Sequence, residues 1–272
     1  MRLLFVGDVL GRAGREVLEA ELPGLRRDLR LDFVVVNGEN AAHGAGITAK
    51  ICEQIIAAGA DAVTGGNHSW DQREALSFIE RQPRLLRPQN FPPGTPGRGA
   101  AVFDAPGPRK VLVMNMMARL FMDPLDDPFA AVDKELTRHR LGYTVAAAIL
   151  DFHGEATSEK MAMGHYVDGR VSLCVGTHTH VPTADTMILD GGTAYQTDAG
   201  MTGPYNSVIG MDKTAPIARF TKKLPTDKLA PANEPATLCG TYVETDDRTG
   251  KAVRAAAVRV GGRLSPTRPE RT

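Results

Sequence analysis

The chain has 272 residues, 42% hydrophobic and 24% charged, the make-up of a folded globular protein and long enough for one large α/β domain. Lys+Arg and Asp+Glu both total 32, so the net charge is zero, which argues against a protein whose whole surface grips nucleic acid. No apolar run approaches the ~20 residues needed to span a bilayer, so no membrane partner is expected. The opening "MRLLFVGDVLG" is too short for a signal peptide and is broken by Asp8 and Arg12. Cys52, Cys174 and Cys239 are scattered and lack C-x-x-C spacing, so they read as small buried hydrophobes of a reducing compartment. A cytoplasmic protein is expected.

In chain order, Arg2–Val6 reads as a buried strand. After Gly14, Leu18, Leu22, Leu25 and Leu29 recur at helical spacing, with Pro23 as a kink or restart. Asp32–Asn37 is a second strand, rich in β-branched residues, and Ala49–Ala58 is a helix closed by Gly59. Asp61–Asn67 is a third strand running into glycines. This β-α-β-α-β rhythm predicts a mainly parallel sheet with right-handed crossovers. Arg87–Pro108 is dense in Pro and Gly and reads as irregular, and Lys110–Met117 returns as a strand. Met122–Phe129 is a turn-rich loop; with Leu120 and Phe121 it offers apolar residues that would cover a site or form a contact in a homo-oligomer. A helix over Phe129–His139 precedes strands Thr144–Phe152 and Arg170–Gly176, which flank a helix starting near Thr157. Beyond Gly192 short strands and turns are expected, ending in the alternating strand Ala252–Val260. The domain therefore covers residues 1–260, and the polar tail 261–272 is expected to fray.

The unusual polar residues share one structural place, the C-terminal end of a predicted strand. "FVGD" ends at Asp8, "VVVNGEN" at Glu39 and Asn40, and "AVTGGNH" at Asn67 and His68. "AAAILDFHGE" carries His153, and "VGTHTH" carries His178 and His180. Ligands bind at this edge of open α/β sheets. Any one motif has a plain reading as a turn, cap or core histidine; five together, all with oxygen or imidazole donors, do not. His178 and His180, at i and i+2 of an extended segment, would point to the same side. His139 and His165 read as surface residues, and His43 stands equally well inside or outside the crevice. Seven donors, Asp8, Glu39, Asn40, Asn67, His153, His178 and His180, are too many for one zinc, which takes ~4. They suit two ions ~3.5–4 Å apart that share a carboxylate, an arrangement that serves displacement at phosphorus. With N and O donors and no Cys, Fe, Mn, Co and Zn all fit.

The ordered set "GD…GEN…GNH…DFHGE…GTHTH", continued by "TDAGMTGPYNSVIGM" (Thr197–Met211), resembles the calcineurin-like metallophosphoesterases. Within them it is similar to the bacterial YmdB branch of 2′,3′-cyclic nucleotide phosphodiesterases. The resemblance implies a four-layer α/β/β/α sandwich with a dinuclear site at the C-terminal ends of the strands, with Fe the metal it favours. It implies Asp8, Asn40 and His180 on one ion, Asn67, His153 and His178 on the other, and Glu39 as the bridge. The wider superfamily has Asp-x-His in its first motif and a bridging Asp in its second. Leu10 and Glu39 depart from both, as they do throughout the YmdB branch, and Asn40 would supply the donor that Leu10 lacks.

The expected activity is in-line attack on a small nucleotide phosphodiester by a hydroxide bridging the two ions, with His68 as general acid. Asp71 would either orient His68 or serve a turn, and Trp70 would pack rather than stack on a base. No stable nucleic-acid complex is expected. The alternatives are a phosphomonoesterase or protein phosphatase on the same site, or a regulatory RNA- or protein-binding protein with structural metals.

Overall fold

In a computed structural model, which describes residues 1–223 and 225–270, strand β1 (Arg2–Val6) sets the logic of the fold. Its side chains alternate between two faces, and both faces are buried. Leu4 and Val6 join Leu18, Leu22 and Leu25 of helix α1 (Gly11–Asp28), with Val34 and Val36 of β2 (Phe33–Asn37). Leu3 and Phe5, with Phe33 and Val35, face the other way, onto Val111, Val113, Ile149, Leu173 and Val175 of a second sheet. That second sheet presents its outer residues, Leu112, Met114, Ala148 and Leu150, to Val132 and Met163 of two further helices.

The first sheet has the order β11-β12-β1-β2-β3-β4, with β13 added beside β12. Here β3 is Ala62–Thr64, β4 Leu85–Leu86, β11 Gly203–Pro204, β12 Ala236–Thr245 and β13 Ala252–Val260. β1 to β4 are parallel and β12 runs antiparallel to β1. The second sheet has the order β5-β6-β7-β8-β10-β9. Its strands are β5 (Ala100–Ala105), β6 (Arg109–Met117), β7 (Ala147–His153), β8 (Leu173–Thr177), β9 (Met187–Ile188) and β10 (Ala194–Gln196). β6, β7, β8 and β10 are parallel, with an antiparallel strand at each edge. The mainly parallel sheet predicted from the β-α-β-α-β rhythm is found as β1 to β4, within two sheets that are both mixed.

Helix ends follow local chemistry. Thr48 caps α2 (Ala49–Ala57) by accepting from the Ile51 N–H, the short α3 (Ala75–Phe78) follows β3, and Asp127 caps α4 (Pro128–Arg138), whose first residue is proline. Helix α5 (Thr157–Tyr166) begins where expected. Pro23 sits within α1 without ending it.

Four segments outside the site depart from the elements that their sequence pattern predicts, or extend them. The third strand stops at Thr64, because residues 65–67 turn toward the site. The Pro/Gly-rich stretch contains β5, whose backbone pairs with β6. The region after Gly192 holds helix α6 (Thr214–Lys222) and the ten-residue β12. Part of the tail expected to fray pairs with the sheet, Thr267 with Arg259, through two backbone hydrogen bonds. Among the described residues, no helix is long and apolar enough to cross a membrane.

Candidate metal centre

The parallel strands of both sheets end at one place, and the loops leaving them carry the donors. β1 leads to Asp8, β2 to Glu39 and Asn40, and β3 to Asn67 and His68. β7 ends on His153, and β8 leads into His178 and His180. Asp8, Glu39, Asn40, His153 and His180 are buried.

His153 is the centre of the cluster. Its Nε2 lies 2.9 Å from Asn67 Oδ1, 3.2 Å from His178 Nδ1 and 3.0 Å from Glu39 Oε1. The Glu39 contact has ion-pair distance but not hydrogen-bond alignment, and Glu39 Oε1 has no hydrogen-bond partner. Asp8 Oδ1 and Asn40 Oδ1 are likewise buried without one. Three unsatisfied buried oxygens at one spot carry a desolvation cost that a cation would offset. The separations around Nε2 match the ~3 Å between neighbouring donors of an ion bound at ~2.1 Å. The donor set therefore fits divalent metal ions, and Glu39, His153 and His178 place ligand atoms within 4.8 Å of one another.

Electrostatics agree. Burial alone would depress the His153 pKa, but Glu39, Asp8 and Asp151 raise it to about 9, so without metal a proton supplies the positive charge. Burial opposes ionisation of Glu39, yet His153 and His68 hold its carboxyl well below the usual range. Burial, with His153 adding to it, pushes His178 down to about 3, leaving a neutral imidazole with a lone pair. A glycine makes room: a Cβ on Gly66 would lie 2.1 Å from Glu39 Oε2 and 2.5 Å from His153 Nε2.

Residues that sequence reading passed over hold these donors. Asp151 is fully buried beneath His153 and accepts from Thr177 Oγ1 at 2.7 Å, Thr64 Oγ1 at 2.6 Å and Asn37 Nδ2 at 3.0 Å. Since the Thr177 proton goes to Asp151, Thr177 Oγ1 accepts from His153 Nδ1–H, 2.8 Å away. That leaves Nε2 of the neutral ring free as a donor atom. Asn37 also accepts the Glu39 N–H, tying two donors of different sheets to one carboxylate.

His178 and His180 lie beyond the end of β8, with φ of 98° and 67°. They are not on an extended segment, as their i, i+2 spacing implies, but in a bend where both have positive φ. Long-range bonds hold it: Asp198 accepts from Thr179 N and Oγ1 and from buried Lys160, and Asp8 accepts from His178 N. The Nδ1–H of His180 is held by the Ile209 carbonyl at 2.8 Å, leaving Nε2 free.

His68 stands at the mouth, half-exposed, with Nδ1 2.8 Å from Asp71 Oδ2. Trp70 packs edge-on against Phe91, as expected of a packing residue. His43, open in the sequence reading, lines a cavity of about 490 Å³ together with Glu39, Asn40, His68, His178 and His180. His165 is exposed and His139 half-buried, and neither lines this cavity. Phe121 is 87% exposed and does not line this cavity.

The sequence profile of the YmdB-like protein family matches residues 4–258. The chain belongs to this family. It is similar to the 2′,3′-cyclic-nucleotide 2′-phosphodiesterase of Bacillus subtilis (strain 168), with 48% identity over 256 residues, covering 93% of this chain and 95% of that protein. A crystal structure of a hypothetical protein from Thermus thermophilus superposes with a TM-score of 0.89 at 41% identity, covering 97% of this chain and 100% of that one. A crystal structure of a novel phosphatase from Mycoplasma pneumoniae also gives 0.89, at 33% identity, covering 96% and 93%. In this YmdB-like chain the first motif has no side-chain donor at Leu10, a hydrocarbon that is fully buried. Asn40, with its Oδ1 unpaired and its Nδ2 held by the Gly44 carbonyl, offers one instead.

Proposed function

We propose that this YmdB-like protein is a dinuclear metal-dependent phosphodiesterase that hydrolyses 2′,3′-cyclic nucleotides. In this reading its two sheets and flanking helices form a single four-layer α/β/β/α domain of the metallophosphoesterase type, spanning residues 1–260. The observation that carries it is the set of unpaired buried oxygens: Glu39 Oε1 and Asn40 Oδ1, of residues that line one cavity with His178 and His180, and Asp8 Oδ1, 3.9 Å from His153 Nδ1. Asp8, Asn40 and His180 would hold one ion, Asn67, His153 and His178 the other, and Glu39 both. Fe is the ion favoured by resemblance, and Mn, Zn and Co suit the same donors. The activity named for the B. subtilis relative supports the substrate.

Bound divalent ions would supply positive charge for the phosphoryl oxygens and make water acidic near neutral pH. The protein's part is to keep the right lone pairs free and to place one acid. Thr177 and Asp151 fix His153, and the Ile209 carbonyl fixes His180. Water oxygen adds to phosphorus in line, keeping one proton in the new P–OH group and losing the other to solvent; the P–O2′ bond breaks, and the 2′ oxygen takes a proton from His68 Nε2, which regains one from solvent. Asp71 holds the opposite ring nitrogen of His68. An alkoxide leaves poorly, so such proton donation is worth ~10²–10⁴ in rate.

Three free, buried cysteines and no membrane-spanning helix among the described residues support a cytoplasmic site of action. The exposed Leu120–Phe121 tip lies outside the cavity, which favours a contact between copies over a cover for the site. A phosphomonoesterase is the second reading, resting on the Mycoplasma relative described as a phosphatase. Metal analysis and steady-state rates on a 2′,3′-cyclic nucleotide, a 3′,5′-cyclic nucleotide and a phosphomonoester separate the two. Two ions per chain and preference for the 2′,3′ ester are expected, and Glu39→Gln should lose metal and turnover together. Full activity with one ion or none overturns the dinuclear reading.

A further inference from the structure

Val208 and Met211 exchange two backbone hydrogen bonds of 2.9 Å, closing a two-residue turn over the metal centre. Its central residues, Ile209 and Gly210, have φ of 47° and 93°. Turns with both central φ positive favour Asn-Gly or Asp-Gly, because those residues tolerate the left-handed region. Gly210 obeys this, and a Cβ there would meet Leu10 Cδ1 at 2.3 Å. Ile209 does not: a β-branched residue at positive φ is a strained outlier.

Packing does not compensate, because Ile209 is 56% exposed. Its backbone is accounted for, since the carbonyl accepts from His180 Nδ1, but Asn or Gly would supply the same carbonyl. Only the side chain lacks a structural reason. It lines the site cavity, with Met211 and Leu229 as its apolar companions, while Glu39, His43 and His68 supply polar groups to the same cavity. One cavity thus combines an ionic part suited to a phosphodiester with an apolar surface. Local rules broken at an exposed position inside a site mark function rather than stability.

We propose that Ile209, with Met211 and Leu229, is the platform on which the nucleobase of the substrate rests. This deepens the phosphodiesterase reading and depends on it for the substrate class. Every base has a π-face, so aliphatic side chains and a thioether accept purines and pyrimidines alike, with the larger purine gaining more contact. Ile209 is then a specificity residue.

The test compares wild type, Ile209→Asn and Ile209→Leu, using 2′,3′-cyclic AMP and ribose 2′,3′-cyclic phosphate, which lacks the base. Asn suits the turn, so Ile209→Asn should melt at a higher temperature than wild type with its metal content intact. Its KM for the cyclic nucleotide should rise about 10-fold, with kcat changed far less, and its KM for the base-free ester should rise no more than about twofold. Ile209→Leu should hold KM near the wild-type value. Calorimetry with 3′-AMP and ribose 3-phosphate gives a readout free of turnover: only 3′-AMP should bind more weakly to Ile209→Asn. Equal weakening of both ligands, or of neither, overturns the platform. Wild-type protein that binds 3′-AMP through Ile209 but hydrolyses neither ester overturns the phosphodiesterase reading and leaves the platform standing.

Discussion

Replacing Asp151 by Asn exchanges one oxygen for an NH₂ group and should reverse a chain of hydrogen bonds. Asp151 Oδ2 accepts from Thr64 and Asn37, and Oδ1 accepts from Thr177. An amide must keep its oxygen toward Asn37, because its NH₂ there would face another NH₂. The new NH₂ then faces Thr177 Oγ1, which turns from donor to acceptor. The freed Thr177 proton points at His153 Nδ1, 2.8 Å away. His153 must then carry its proton on Nε2, the atom that faces Asn67, Glu39 and His178. A protonated Nε2 cannot bind a metal. Two of the three donors stay satisfied and the side-chain volume is unchanged, so the fold should survive.

The magnitude follows from losing one outer partner of a metal ligand, about 10- to 100-fold in affinity. That is ~1.4–2.8 kcal/mol, the size of one hydrogen bond to a charged group. Competition of Mn or Zn against a chromophoric chelator measures it directly, with melting of the metal-free protein as the control for folding. We expect weakened binding of one ion, while the metal-free protein, which loses one of the charges that hold the His153 proton, melts lower but as cooperatively as wild type. Wild-type affinity for both ions in a folded Asp151→Asn protein would refute the relay through Thr177.

His68→Asn should lower kcat ~10²–10⁴ while both ions stay bound, and an unchanged kcat would remove His68 from proton transfer. Gly66→Ala would place a Cβ 2.1 Å from Glu39 Oε2, so metal content should fall while circular dichroism stays native; full metal content contradicts the close packing seen at this glycine. In metal-free protein, the carboxylates of Glu39, Asp8 and Asp151 outweigh burial and raise His153 from 6.5 to about 9. Stability from this group is thus fully present below about 6.5 and lost as pH rises through about 9. Burial raises Asp151 to about 7, which adds a loss of the same sign. Metal must displace the His153 proton, so calorimetry at pH 7 in buffers of different ionisation enthalpy should show about one proton released from it, with affinity rising toward alkaline pH. Metal affinity independent of pH between about 6 and 9 would contradict this.

Much of the centre was legible because its donors interrupt apolar strands. Asp8, Glu39 and Asn67 each follow a buried strand and a glycine, and nothing in a core calls for them. Asp151 left a similar signal: a carboxylate inside an otherwise apolar strand, two residues before His153 and on the same face. Strand β5 and helix α6 were missed for another reason. β5 gains its order from pairing with β6, and the Pro and Gly around it mask a short apolar run. α6 buries only Pro216, and its apolar residues Ile217 and Phe220 face solvent, so the core gives no account of it.

The two histidines of "GTHTH" set the limit of sequence reading. Their residue type is chemistry and can be read, but their backbone is not the extended one their spacing implies. Asp198, Lys160 and Asp8 hold that bend from other parts of the chain. Which nitrogen each imidazole presents also depends on a remote partner. The Ile209 carbonyl occupies Nδ1 of His180, whereas His178 turns Nδ1 toward His153 and sets Nε2 3.4 Å from Glu155. Two residues that look equivalent in sequence therefore offer different atoms to the same cavity. Donor identity is a local property of this chain, and the free lone pair is a tertiary one.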